Sequence, residues 1–211
     1  MKAISATSVE RRLKLKRTDA VKGPWSVSFP AQFAPNPLAR GPEETVAFPE
    51  LVSWSERSER DIRYFSGSAT YVKTIACTVP GDGERVMLDL GDVKNFADVM
   101  VNGRRHPTLW KPPFRLDVTD EARSGRVDLE VKVTNLWVNR LIGDDALQSD
   151  CVWSGEGRVG LKEVPAWVTN GSPSPSGRRT FTTWRHWLKD DKPLESGLLG
   201  PVKLLAYEVV R

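Results

Sequence analysis

Apolar and polar residues alternate with a period of two along most of this chain. The alternation is clear in WSVSF (25–29), RVMLDL (85–90) and VDLEVKVTN (127–135), and turn-forming residues such as PGDGE (80–84) separate the runs. Such alternation between clusters of Gly, Pro, Asp or Asn is typical of half-buried β-strands. The same pattern predicts further strands at 69–79, 97–103 and 114–119.

The order of these runs predicts the fold class. Many short strands with turns between them, and no sustained apolar stripe of helical period, indicate an all-β fold. We expect an antiparallel β-sandwich or jelly roll. It should form one domain over 23–211, preceded at 1–22 by a segment that is either a basic tail or a first edge strand.

One segment, 144–178, departs from the alternation and is expected to be a long loop inserted in the sandwich. Connections of this length are uncommon in a compact domain and are usually functional or disordered. Trp153 and Trp167 lie in the segment, and two large aromatic residues argue against disorder. Two interpretations stay open: the loop packs over one end of the sandwich, or it contacts a ligand.

Positive charge is concentrated at the amino-terminal end of the sequence. The chain has 31 Lys and Arg against 27 Asp and Glu, and seven of the basic residues with only two acidic ones fall within 1–22. Nucleic-acid binding favours a basic surface spread over the fold, so no nucleic acid is expected as a partner. The sequence shows neither a transmembrane run of about 18 apolar residues nor the apolar core of a secretory signal. We therefore expect no membrane partner, and the localisation is not determined.

Residues that bind metals or form disulfides give few signals. Cys77 and Cys151 are either free thiols or, if the protein is exported, one disulfide. His106 and His186 lie far apart and no Cys/His spacing predicts zinc, so neither a metal nor a cofactor is expected. A structural calcium ion stays an open alternative, because acidic side chains supply the oxygen ligands that it prefers. The residues concerned are Asp89, Asp92, Asp144, Asp145 and Asp150.

Longer motifs extend over almost the whole chain. They are GPWSVSF (23–29), LVSWSERSERDIRYFSGSATYVKT (51–74), LDLGDVKNFADVMVNG (88–103), LWKPPFRLDVTD (109–120), LEVKVTNLWVNRLIGDD (129–145), RRTFTTWRHW (178–187) and SGLLGPVKL (196–204). In this order they resemble the C-terminal β-sandwich of the bacterial α-L-rhamnosidases of glycoside hydrolase family 106. They are also similar to the sugar-binding, galactose-binding-domain-like jelly roll of the family 2 glycosidases. NRLIGD and TFTTW favour the rhamnosidase relatives, whereas YFSGSATY is shared by many sugar-binding sandwiches.

The resemblance implies a non-catalytic module of proteins that degrade polysaccharides and are often periplasmic or secreted. In these relatives the catalytic acid and base lie on a separate (β/α)₈ barrel, which needs about 200 residues or more by itself. No catalytic residue is therefore carried over, and we do not expect the chain to be an enzyme by itself. The implied partners are an oligo- or polysaccharide that contains rhamnose or galactose, and a glycoside hydrolase catalytic domain.

Candidate carbohydrate-binding residues cluster in the last third of the chain. Sugars bind to exposed aromatic rings and to planar polar groups that hydrogen-bond with their hydroxyls. If 135–140 and 181–187 are strands, alternation places Phe181 with Trp187 toward the core and directs Trp184 outward. The candidates are Trp137, Asn139, Arg140, Asp144, Asp145, Trp153, Arg178, Arg179, Trp184 and His186.

A structural role for the same residues stays open. Asn139 and Arg140 would then tie the end of a strand to the long loop, with an ion pair between Arg140 and Asp144. Three functions follow from these alternatives. The first is a carbohydrate-binding accessory module, the second is a docking domain for a catalytic barrel without sugar binding, and the third is a small hydrolase or lyase with an unrecognised site.

Overall fold

Antiparallel strands are the main regular structure of the protein. The computed structural model describes residues 12–30 and 44–210, with 42% of residues in strands and 12% in helices. This confirms the predicted all-β sandwich. The strands are β1 (Arg12–Ala20), β2 (Trp25–Phe29), β3 (Glu44–Phe48), β4 (Ser68–Ala76), β5 (Glu84–Asp89), β6 (Asp92–Lys94), β7 (Phe96–Val101), β8 (Arg104–Arg105), β9 (Arg115–Asp117), β10 (Arg126–Thr134), β11 (Val152–Trp153), β12 (Leu161–Glu163), β13 (Gly197–Gly200) and β14 (Lys203–Val210). The helices are α1 (Arg60–Arg63), α2 (Thr119–Ala122), α3 (Val138–Asp145) and α4 (Ala166–Thr169), and residues Trp54–Glu56 form a 3₁₀ turn.

Two sheets form the sandwich. The larger has six strands in the order β3-β2-β4-β10-β7-β8, and the smaller has four in the order β1-β14-β5-β9. Residues of both sheets belong to a single buried cluster, for example Val131 of β10 and Leu88 of β5. Two short ribbons, β6 with β13 and β11 with β12, flank the sheets. The apolar cluster shared by the two sheets is what holds the layers together.

The central strand β10 shows why the alternation produces this fold. Its sequence RVDLEVKVT has buried and exposed residues in strict turn, and Val127, Leu129, Val131 and Val133 are buried. Because successive side chains of a strand point to opposite faces, the four apolar residues line the core and the charged ones face outward. β10 pairs with β4 on one side and with β7 on the other.

A hydrogen-bonded aromatic group fixes the β13 segment to the core. The Tyr71 hydroxyl accepts hydrogen bonds from Trp54 Nε1 at 2.6 Å and from the Leu198 backbone N–H at 3.1 Å. Burial raises the pKa of Tyr71. Gly197 has a φ of +100°, and a Cβ there would lie 2.6 Å from both Trp54 Nε1 and the Tyr71 hydroxyl. Only glycine fits this position without moving the aromatic pair.

The amino-terminal segment falls partly within the described chain. Residues 12–20 form β1, an outer strand of the four-stranded sheet that pairs with β14. Residues 1–11 of the predicted basic segment lie outside the described residues. In residues 12–30 and 44–210, no helix has the length and apolar character needed to cross a bilayer.

Two segments that we expected to be strands have other structures. In segment 135–140, the residues from Val138 onward belong to the helix α3 rather than to a strand. Residues 181–187 follow an irregular path with one isolated bridge, between Trp184 and Gly160. Phe181 and Trp187 do not form the expected core pair, since Phe181 packs on Trp167 of α4 with ring centroids 6.0 Å apart.

The expected long loop also contains regular structure. Segment 144–178 includes the end of α3, the ribbon of β11 and β12, and α4. Side-chain and backbone bonds from distant residues hold it, as described below. A period-two pattern carries no information about such bonds, because they join residues far apart in sequence.

Candidate functional site

A small pocket lies where α3, β11 and segment 178–187 meet. Its volume is about 170 Å³. Pockets for drug-sized ligands typically measure about 300–1,000 Å³, so this one suits a smaller group such as a single sugar ring. We name it the tryptophan pocket. Its lining residues are Leu141, Asp145, Trp153, Arg178, Thr182, Trp184, Arg185, His186 and Trp187.

Trp184 supplies an exposed aromatic surface at this pocket. Its side chain is 55% exposed, and a Cβ on Gly160 would lie 3.6 Å from the ring atoms Cε3 and Cζ3. The backbone around the ring is fixed, because Arg185 N donates to Val159 O at 2.9 Å and Leu161 N donates to Thr183 O at 2.8 Å. The ring therefore rests against the glycine backbone of the β12 ribbon while its other parts stay open to solvent.

Asp145 forms the charged floor of the tryptophan pocket together with Arg185. Arg185 Nε donates to Asp145 Oδ1 at 2.6 Å and Nη2 donates to Oδ2 at 3.1 Å, which is a bidentate ion pair. Oδ2 also accepts from the Lys189 backbone N–H at 2.8 Å. The hydrogen bond with Asp145 raises the pKa of Arg185. The Arg185 guanidinium and the Asp145 carboxylate thus neutralise each other through charge-assisted hydrogen bonds.

Arg178 makes the second ion pair of the pocket, with Asp150. Arg178 Nε lies 3.3 Å from Asp150 Oδ1, and the two side chains are only 6% and 5% exposed. Asp150 Oδ2 accepts hydrogen bonds from the hydroxyls of Ser174 and Ser176. Burial pushes the pKa of Asp150 up, but these two hydroxyls, with Cys151 and Arg178, outweigh it and hold the pKa below the usual value.

Asp144, one helical position before Asp145, is completely buried behind the pocket. Its Oδ2 accepts from Arg179 N at 2.9 Å, Thr180 N at 2.8 Å and Thr180 Oγ1 at 2.8 Å. Its Oδ1 lies 2.9 Å from Arg140 Nε, which is the predicted ion pair. Burial lowers the pKa of Arg140, although Asp144 acts in the opposite direction. Asp144 therefore positions the start of segment 178–187.

Asn139 anchors the other side of α3. Its Nδ2 donates to Leu194 O at 2.8 Å and its Oδ1 accepts from Leu194 N at 2.8 Å. Nδ2 also reaches Ser196 Oγ at 3.3 Å. These contacts match the structural role that was the alternative for Asn139 and Arg140 in the sequence, except that they tie a helix and not a strand end.

The ten candidate residues fall into three places. Asp145, Trp153, Arg178, Trp184 and His186 line the tryptophan pocket. Asn139, Arg140 and Asp144 are buried behind it, and the backbone N–H of Arg179 bonds to Asp144. Trp137 is 69% exposed at the start of α3, outside the lining of the pocket.

Four lining residues were not among the candidates: Leu141, Thr182, Arg185 and Trp187. The strand interpretation of 181–187 placed Arg185 and Trp187 on the core side, and this removed them from consideration. A signal was nevertheless present, since Arg185 would have been a charged residue on a core face. A charge there needs a buried partner, and Asp145 is that partner.

The cysteines and acidic residues form no further centre within the described parts of the chain. Cys77 and Cys151 are both free and partly buried. Across residues 12–30 and 44–210, no group of three or more His, Cys, Asp or Glu side chains is arranged to hold a metal ion.

Comparison with known proteins places the chain among glycoside hydrolase-related domains. No protein-family model matches it. It is 46% identical over 184 residues to a putative β-glucuronidase from Formosa agariphila, covering 86% of this chain and 15% of that protein. It superposes on a rhamnosidase from Novosphingobium sp. PP1Y with a TM-score of 0.68 and 29% identity, covering 97% of this chain and 16% of that one.

A β-D-glucuronidase from Dictyoglomus thermophilum shares the fold. The TM-score is 0.53 at 12% identity, with 92% of this chain and 28% of that chain covered. The chain thus spans about one sixth of the length of the two more similar relatives. It corresponds to a small domain of larger glycoside hydrolases.

Proposed function

We propose that this chain is a non-catalytic, carbohydrate-binding accessory domain of a glycoside hydrolase, and that a glycan binds in the tryptophan pocket. The observation that carries the proposal is the meeting of Trp153, Trp184 and Trp187 with polar groups in one concave site. Sugar rings present apolar C–H faces that stack on aromatic rings and hydroxyls that hydrogen-bond with polar groups. The relatives support a role in glycan processing, because the chain matches about one sixth of proteins named as a β-glucuronidase and a rhamnosidase.

The carboxylates of the region favour binding over hydrolysis. Glycoside hydrolysis generally uses two carboxyl groups about 5–9.5 Å apart in a cleft. The pocket lining holds one carboxylate, Asp145, and its oxygens already accept bonds from Arg185 and Lys189. The neighbouring Asp144 is buried and holds Arg140 and Thr180. These engaged carboxylates support a binding domain rather than a small hydrolase or lyase.

The finer assignment is to the C-terminal β-sandwich of the family 106 α-L-rhamnosidases. It is supported by the motifs NRLIGD and TFTTW and by the likeness to the Novosphingobium rhamnosidase. NRLIGD forms most of α3, and TFTTW leads into the pocket through Thr182 and Trp184. The motifs that favour this family therefore build the proposed binding site. The proposed ligand is a polysaccharide that contains rhamnose or galactose.

The proposal is tested by titrating the protein with rhamnose- and galactose-containing oligosaccharides in a calorimeter. Saturable binding of one glycan is expected. Trp184→Ala should weaken the affinity by about tenfold or more, since the comparable stacking of a nucleic-acid base on an aromatic side chain is worth about 1–3 kcal/mol. Trp137→Ala is the matched control, because Trp137 is also an exposed Trp but lies outside the pocket. Equal affinity in Trp184→Ala, or no binding by the folded protein, would contradict the proposal.

One observation favours a second candidate function, docking on a catalytic domain. Leu136, Trp137 and Leu194 are exposed apolar residues, and Leu136 and Leu194 line the same small cleft. Phe96, also exposed, pairs with Thr134 just before Leu136. A contiguous exposed apolar patch is typical of an interaction surface. It lies outside the lining of the tryptophan pocket, so docking and glycan binding are compatible.

A further inference from the structure

We infer that the tryptophan pocket accepts an uncharged sugar and rejects uronic acids. This inference rests on the proposed function and adds the chemical class of the ligand. It depends on how the arginines around the pocket are paired. The names of the relatives leave this class open, because rhamnose is uncharged and glucuronic acid carries a carboxylate.

The two arginines that line the pocket, and a third that bonds to the backbone of a lining residue, each have a carboxylate partner. Arg185 makes the bidentate pair with Asp145 at 2.6 and 3.1 Å, and Arg178 Nε lies 3.3 Å from Asp150. Arg158 lies next to the pocket lining, because its Nε donates to the carbonyl of the lining residue His186 at 2.9 Å. Its Nη2 donates to Asp191 at 2.7 Å. Recognition of a sugar carboxylate generally requires a guanidinium that is free to make such a bidentate bond.

Releasing one of these arginines for a ligand is unfavourable. Arg178 and Asp150 are almost fully buried, and the Asp145 side chain is only 4% exposed. Removing the partner of a buried charge leaves that charge without compensation and is strongly destabilising. A uronate in the pocket would also lose part of its hydration without gaining an unpaired guanidinium, and burying a charge without a partner is costly.

The groups that remain for a ligand suit hydroxyls and C–H faces. Trp184 and Trp153 provide aromatic surface, and His186 lies exposed beside Trp187 with ring centroids 5.1 Å apart. Thr182 adds a hydroxyl, which donates to Trp184 O at 3.1 Å and keeps acceptor capacity for a ligand. Aromatic rings and neutral polar side chains recognise a sugar through stacking and hydrogen bonds and need no charge on it.

The test compares matched sugars at about pH 8, where histidine side chains are generally neutral. The probes are methyl glucoside and methyl glucuronide, which differ in the carboxylate, together with methyl rhamnoside. Isothermal titration should show that the wild-type protein binds at least one neutral glycoside about tenfold or more tightly than the glucuronide, as expected when a carboxylate loses hydration without gaining a charged partner. Tighter binding of the glucuronide would overturn the inference and leave the proposed function standing. No binding of any glycoside or of the longer oligosaccharides would overturn both.

A variant that removes the carboxylate partner of a pocket arginine gives a second test of the same inference. Asp150→Asn leaves Arg178 without its carboxylate, and we expect the ratio of glucuronide to neutral-sugar affinity to rise by about tenfold. Asp128→Asn is the matched control, since it removes the partner of Arg126 on the exposed face of β10 and should leave the ratio unchanged. If circular dichroism shows that Asp150→Asn does not fold, Asp145→Asn, which releases the pocket-lining Arg185, replaces it. An unchanged ratio in the folded variant would contradict the inference.

Discussion

β10 and α3 follow one another in the chain and are held in place by different interactions. β10 places a row of valine and leucine side chains in the core, and its charged residues face outward. α3 buries Asn139, Arg140, Asp144 and Asp145 instead. The side chains of Asn139, Asp144 and Asp145 bond to segments far away in sequence, and Arg140 forms an ion pair with Asp144 inside the helix. The strand is stabilised by the removal of apolar surface from water, whereas the helix is fixed by a network of charge-assisted hydrogen bonds.

The difference explains where the proposed site lies. An apolar core stabilises the fold but presents few groups to a ligand. The polar network of α3 holds segment 178–187 in an irregular path, and this path brings Trp184 and His186 to the mouth of the pocket. The geometry of such a site depends on a few bonds with defined directions, so it should be more sensitive to single polar substitutions than the sandwich is.

The largest effect is expected for Asp144→Ala. It removes three hydrogen-bond acceptor contacts to residues 179–180 and leaves the buried Arg140 without its partner. Breaking a buried ion pair in this way costs about 3–5 kcal/mol. Urea denaturation should show a loss of this size, and glycan binding should be lost even where the protein is still folded.

The control for this variant is Asp120→Ala, at an exposed ion pair with Arg123. Exposed pairs contribute about 0–1 kcal/mol. If both variants change stability equally, the buried network does not have the role described here.

The core substitution Leu129→Ala tests the apolar strand β10 in the same way that Asp144→Ala tests the polar helix α3. Leu129 is buried in β10, and Leu→Ala substitutions in cores cost about 2–5 kcal/mol. We expect a lower free energy of unfolding in urea but an unchanged dissociation constant for the glycan at temperatures where the protein stays folded. A weakened glycan affinity would mean that the core and the pocket are coupled.

Acid should weaken the polar region through Asp150, with a smaller effect. The folded pKa of Asp150 is lowered by its hydrogen bonds despite burial, so the unfolded state binds the proton more readily. The stabilisation is fully present above the unfolded aspartate pKa of about 3.9 and is lost as pH falls through the lower folded value. The loss of stability between about pH 5 and pH 2 should be smaller in Asp150→Asn than in the wild type. An identical acid loss in both proteins would contradict this account.

The sequence predicts the sandwich well because its signal is local. Alternation in β10 and in WSVSF fixes which residues are buried, and the structure agrees at both strands. α3 gives no such signal, since Val, Asn, Gly and Asp are weak helix formers. Its conformation depends on partners such as Thr180 and Leu194, which lie more than thirty residues away.

The candidate site also depends on bonds between residues far apart in sequence, which a local pattern does not reveal. Residue type selected Trp184, Trp153 and Arg178 as candidates, and the structure brings these three side chains together at the tryptophan pocket. Period-two reasoning then assigned the sides of 181–187, and it excluded Arg185 and Trp187. An irregular segment has no fixed period, so its orientation depends on backbone bonds such as that between Arg185 and Val159.

A neutral glycan is expected to bind among the pocket tryptophans, and the tryptophan side chains themselves can report on it. The chain has eight tryptophans, and each indole N–H gives its own signal in a ¹⁵N–¹H correlation spectrum. Titration with the neutral glycan should shift the signals of Trp153, Trp184 and Trp187 and leave those of the buried Trp25 and Trp54 in place. Shifts confined to Trp110 or Trp137, or no shift at a saturating concentration, would contradict the claim.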